Sequence, residues 1–181
     1  MLRSLLAALS LLVAVPSAAA QEGQGASDRI VNDPRVPALT AYGLNLPPQI
    51  RADKGVQFGK AMRIQLPGHA EFWRIGVITP TLKPVKKGDR IVIAFWARAE
   101  KTEGGVPAVI RRVQLEATTP GIRTIFEKAF EIGPEWQMHQ LSGLADQDYP
   151  PGQLNAALHL NGAKQVLDIG PVFILNYGAA R

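Results

Sequence analysis

The chain has 181 residues, with 20 Lys plus Arg against 15 Asp plus Glu, a net charge of +5 at pH 7 and no cysteine. That length suits one domain with a substantial core, and a charge this mild gives no case for a nucleic-acid partner. Without thiols, disulfide frameworks, thiolate metal sites and cysteine nucleophiles are excluded.

Residues 1–20 have the layout of a bacterial-type secretory signal. Arg3 makes a basic start, Leu5 to Val15 is an apolar run too short for a comfortable membrane span, and Ala18-Ala19-Ala20 ends on small residues. Cleavage after Ala20 is expected, and since Arg3 is the only charge removed, net charge falls from +5 to +4. The expected product is secreted or periplasmic, with no membrane span. Residues 21–29, opening "QEGQGA", are read as a disordered leader, and 30–181 as a single domain.

From Ile30 to Gln49 the chain carries Pro34, Pro37, Pro47 and Pro48, a spacing that forbids a long helix and suggests extended segments along the domain edge. Strand-like runs then alternate with turn signals. "GVQFGKAMRIQL" stops at Pro67-Gly68 and "EFWRIGVIT" at Pro80; "KKGD" turns into "RIVIAFWARAE". "GGVPAVIRRVQLEATT" stops at Pro120-Gly121, and "IRTIFEKAFEI" turns at Gly133-Pro134. "WQMHQLSGL", "QLNAALHLNG" and "VLDIGPVFILNYG" complete the series. About eight strands at intervals of roughly 10 residues, punctuated by Gly and Pro, predict an all-β sandwich or barrel. "RTIFEKAFE" has helical propensity, but its flanking Gly-Pro pairs predict a strand.

Signatures of catalysis are scarce. There is no Gly-x-Ser-x-Gly elbow, no His-Glu-x-x-His, no P-loop and no Gly-rich dinucleotide loop. His139 lies three residues from Ser142 and so points to the other face of one strand. His69, His139 and His159 share no ligand-like spacing. Glu116 and Glu127 are the best members of a carboxylate pair, were the chain a small glycan-active hydrolase.

The order of three pieces is similar to a known family. A "KKGDRIVIAFWARAE" strand precedes a Gly-Pro-Glu-Trp turn into "WQMHQLSG", and then "LNAALHLNGAKQVLDIGPVFILNYG" carries a His-bearing strand into Asp-x-Gly-Pro-Val. Together they resemble the cellulose-binding-C type of carbohydrate-binding module, the group spanning families four, nine and twenty-two, over about Gly55 to Gly178. The resemblance implies a galactose-binding-like β-jelly roll of two antiparallel sheets that binds a glycan without catalysis. It also implies association with a secreted glycoside hydrolase, and a structural calcium. Asp168 matches the family's late acidic position, but "TAYGLNLPPQI" lacks the opening Asn-x-x-Phe-Glu motif that helps form the metal site.

Sugar binding needs aromatic faces for pyranose rings and planar donors and acceptors for hydroxyls. Period-two reading puts Trp96 and Arg98 on one face of their strand. It puts Ile110, Arg112, Gln114 and Glu116 on one face of the next, and Asn155, Ala157, His159 and Asn161 on one face of "LNAALHLNG". The expectation is one polar-aromatic groove of Trp96, Arg98, Arg112, Gln114, Glu116 and His159, with Trp73 as a second stacking aromatic. The arginines hint at an anionic polysaccharide or oligosaccharide. The rival reading is a periplasmic structural domain that docks an envelope protein on the same face.

Overall fold

The computed structural model describes residues 25–102, 104 and 107–179. The expected signal, 1–20, lies outside the described residues, as do residues 21–24 of the leader. Gly25–Arg29, the remainder of that leader, forms a short helix, α1. Its Arg29 guanidinium lies 4.6 Å from the centre of the Tyr177 ring, a cation–π contact that ties this turn to the last strand.

Ten strands follow: β1 (Thr40–Tyr42), β2 (Gln49–Ala52), β3 (Lys60–Pro67), β4 (Gly76–Pro80), β5 (Asp89–Thr102), β6 (Ala108–Ala117), β7 (Arg123–Ile132), β8 (Gln137–Leu144), β9 (Leu154–His159) and β10 (Lys164–Ala179). They form two five-stranded antiparallel sheets, ordered β1-β4-β9-β6-β7 and β2-β3-β10-β5-β8. The all-β sandwich read from the sequence is the observed architecture. The two strands beyond the expected eight are β1 and β2, short edge strands in and just behind the proline-bearing stretch. "RTIFEKAFE" is a strand, β7.

Alternation builds the core between the sheets. Ile91, Ile93, Phe95 and Ala97 of β5 face Leu154, Ala156 and Leu158 of β9 and Val113 and Leu115 of β6 in one buried cluster. One departure from strict period two occurs on β6. The β6–β7 ladder skips a register between Ile110 and Val113, so two residues of β6 oppose one of β7. Ile110, expected beside Arg112 on the outer face, is thereby returned to the core and fully buried. A second correction falls at Phe72–Arg74, which form a 3-10 turn ahead of β4 rather than the start of a strand.

The N-terminal segment is locked to both sheets through Asn32. Its amide donates to the Thr79 hydroxyl at 3.1 Å and the Val172 carbonyl at 2.8 Å, and its oxygen accepts from the Ile174 N–H at 2.8 Å. Among the described residues, no helix is long and apolar enough to cross a membrane.

Candidate functional site

The outer face of the β1-β4-β9-β6-β7 sheet carries polar side chains that point away from the core and yet are buried. Gln114 is 2%, Glu116 4% and His159 9% exposed. Register sets them in rows across the strands. One row is Tyr42, Gly76, His159 and Arg112; the next is Thr40, Ile78, Ala157, Gln114 and Glu127; a third is Pro80, Asn155, Glu116 and Thr124. The middle row is lowest at Ala157, itself fully buried, so the trough along it is shallow and lined by the larger side chains around it.

One wall is aromatic. At Gly76 a Cβ would sit 2.3 Å from the Tyr42 hydroxyl, so this glycine is what lets the phenol lie down on the sheet. There its hydroxyl is 2.7 Å from Nδ1 of His159. Burial, with the charge of Glu116, pushes the Tyr42 pKa up, so the phenol keeps its proton. Burial, with Arg112 alongside, holds His159 down at about 4, so the imidazole is neutral near pH 7. The contact therefore joins two neutral groups, and which of them donates is set by the imidazole tautomer. Phe72 stands edge-on to both His159 and Trp73, with centroids 6.1 and 5.1 Å away, and the Arg112 guanidinium lies 5.0 Å over its ring. Trp73 completes this wall, 51% exposed.

The other side, running from Gln114 on the middle row to the third row, is a chain of amides and oxygens. The Thr124 hydroxyl donates to Gln114 Oε1 at 2.9 Å, Gln114 Nε2 donates to Glu116 Oε2 at 2.5 Å, and Asn155 Nδ2 donates to Glu116 Oε1 at 3.4 Å. Arg112 Nε pairs with Glu127 Oε2 at 2.8 Å. Each planar group is thus fixed in orientation by a neighbour, which gives the trough a defined pattern of donors and acceptors. Chemically, the arrangement can stack flat apolar rings on its aromatic side and hydrogen-bond hydroxyls on the other.

Of the residues expected to form one groove, Arg112, Gln114, Glu116, His159 and Trp73 are brought together here. Trp96 and Arg98 are not. They sit on β5, on the outer face of the opposite sheet, so the sandwich core separates the two groups. Arg98 Nε donates to Asp168 at 3.0 Å, its NH2 group to Asp53 at 2.9 Å, and its guanidinium lies 4.9 Å over the Trp136 ring. Trp96 packs against Gly170, where a Cβ would come within 2.8 Å of the Trp96 Cβ.

Asp168 does not fit the calcium that the resemblance implies. It is fully buried, and Arg63 grips it at 2.8 and 3.0 Å, Arg98 at 3.0 Å and Arg51 at 3.6 Å. Burial works to raise its pKa, but the hydrogen bonds from Arg63 and Arg98 outweigh it and hold the carboxyl below its usual range. Three cations around one carboxylate already saturate its lone pairs, and among the described residues no group of three acidic or imidazole side chains gathers to hold a metal.

The candidate acid pair is likewise engaged, Glu116 by amides and Glu127 by Arg112. Ser142 is exposed, while His139 turns inward and stacks on Phe95 at 5.3 Å. Sequence reasoning missed Tyr42 and Phe72. For Tyr42 the signal was Gly76, a glycine opening a short apolar strand, which marks a place where another group approaches the backbone.

No protein-family model and no curated protein matches the sequence. Solved structures match by shape. The N-terminal cellulose-binding domain of Cellulomonas fimi β-1,4-glucanase C aligns with a TM-score of 0.57 at 14% identity, over 82% of this chain and 93% of that one. The second N-terminal cellulose-binding domain of the same enzyme gives 0.53 at 22% identity, over 86% and 99%. The CBM22-1 xylan-binding domain of Paenibacillus barcinonensis Xyn10C gives 0.54 at 16%, over 84% and 94%. The chain therefore has the β-jelly-roll sandwich fold that these carbohydrate-binding modules share.

Proposed function

We propose that the chain is an exported, non-catalytic carbohydrate-binding module that holds a neutral glycan across the trough on the β1-β4-β9-β6-β7 sheet. The carrying observation is the outward-facing yet buried set Gln114, Glu116 and His159, walled by Tyr42, Phe72 and Trp73. An ordinary solvated sheet face has no reason to order and bury amides and a carboxylate in this way. The polysaccharides that the structural neighbours are named for binding, cellulose and xylan, are uncharged and support the same reading. So does the charge of the trough. Arg112 is matched by Glu127, and Glu116 adds a further negative charge, so no guanidinium is left over to favour an acidic sugar. The glycan-active partner that the resemblance implies would be a separately exported glycoside hydrolase.

Affinity electrophoresis of the chain from Gln21 through neutral and acidic polysaccharides tests this. Retardation by a neutral polymer is expected. Trp73→Ala and Gln114→Ala should each weaken it about tenfold, near 1.4 kcal/mol, while Trp96→Ala leaves it unchanged. Absence of retardation by every polymer, or weakening by Trp96→Ala alone, overturns the proposal.

A further inference from the structure

β8 is the outermost strand of its sheet. It pairs with β5 alone, residue for residue from Arg90↔Leu144 to Ala97↔Gln137, with no bulge. Alternate N–H and C=O groups on its other side therefore point outward with no strand among the described residues to meet them. Natural proteins blunt such edges with charges, prolines or bulges. β7, the long edge of the other sheet, obeys the rule: its ladder has two register shifts and its sequence carries Arg123, Glu127, Lys128 and Glu131. β8, "QMHQLSGL", carries no charge, no proline and no bulge.

Two of its side chains are also exposed and apolar, Met138 at 51% and Leu144 at 53%. Both lie on the outer face, three positions either side of Leu141. We propose that a second copy of this chain docks edge to edge on β8, antiparallel, with the two-fold axis at Leu141. That register sets Met138 against Leu144 of the second copy, Gln140 against Ser142 and His139 against Gly143. Large side chains meet small ones or apolar partners, and no charge opposes a like charge within the paired strands. Sliding the pairing by two residues either way leaves one of the two apolar side chains uncovered. Because Met138 lies beside Trp96 on β5, the apolar row continues from one sheet into the next, and the two sheets become one of ten strands. The glycan trough is on the other sheet, so each copy keeps its own open.

Sedimentation equilibrium from micromolar to submillimolar concentration reads the result. The expected mass is that of two chains, falling to one in Met138→Lys and in Leu144→Lys, with the circular-dichroism spectrum and melting temperature retained because both positions are half exposed. Register is read separately, since the chain has no cysteine of its own. Gln140→Cys chains mixed with Ser142→Cys chains and oxidised should form mixed disulfide dimers in excess over either homodimer. A one-chain mass at every concentration, a two-chain mass that neither lysine alters, or a prevalence of homodimeric disulfides overturns the proposal. If a lysine variant fails to fold, the cysteine pair decides alone.

Discussion

Asparagine in place of Asp168 keeps the shape and removes one charge from the middle of three guanidinium groups. The site is dry on the carboxylate side, since Asp168 is fully buried, and Arg63 is only 14% exposed. Breaking a buried ion pair by removing one partner costs about 3–5 kcal/mol. Arg98 and Arg51 are wetter, at 27% and 35%, and Asp53 and Glu100 still face Arg98 and Arg63, so the lower end of that range applies. A loss of about 3 kcal/mol lowers the melting temperature of a domain this size by about 10 °C. Urea unfolding of the wild type and Asp168→Asn, followed by tryptophan fluorescence because Arg98 stacks on Trp136, measures it. The pH dependence has a definite sign. The native carboxyl titrates below its unfolded value of 3.8, so its contribution is complete above that value and is lost only as pH falls through the native one. The deficit of the variant should thus stay constant between pH 5 and 8. Calcium or a chelator should leave the wild type unmoved. A loss below about 1 kcal/mol, or a calcium-dependent melting temperature abolished by Asp168→Asn, would refute the arginine-held reading of this carboxylate.

Gly76→Ala should displace the Tyr42 phenol from the sheet, costing about 1–3 kcal/mol in chemical denaturation and weakening glycan retardation, whereas Tyr42→Phe should spare the fold and lose only the bond to His159. Acid should destabilise the chain through its two desolvated histidines. His159, held at about 4, and His139, lowered by burial, bind protons more tightly when unfolded, so stability is flat above pH 6.5 and declines towards pH 4. The His159 share is at most about 3 kcal/mol, and His159→Gln should flatten that part of a stability–pH profile. Asn32→Ala removes the bridge between the sheets and leaves the Ile174 N–H without its acceptor. A loss of about 2 kcal/mol and faster hydrogen exchange at Ile174 are expected.

Much of this architecture could be read from the alternation of side chains. On β5 and β9 the period-two pattern separated core from outer residues correctly, because both strands run without a bulge through those positions. On β6 it failed at Ile110, because a bulge inverts the parity on either side of Arg111 and Arg112 and nothing in "AVIRRV" marks where it falls. The larger limit lies in pairing. Alternation shows that Trp96 and Arg98 share a face, and that Arg112, Gln114 and Glu116 share another. It does not show that β5 and β6, consecutive in the chain, belong to different sheets and present those faces in opposite directions. Tyr42 reached the trough only through β1, a three-residue strand too short to leave a periodic signal.

The place of β10 has a consequence for the order in which the molecule can assemble. The β1-β4-β9-β6-β7 sheet is complete once His159 has been synthesised. The other sheet is not, because its central strand, between β3 and β5, is the last one made. Until Lys164–Ala179 emerges, the β2–β3 and β5–β8 pairs have nothing to join them, and the apolar face they share has no roof. Folding must therefore wait for nearly the whole chain, with long loops closed late and slowly. A chain stopped near residue 160 would carry every side chain of the trough and lack the half-sandwich that supports it.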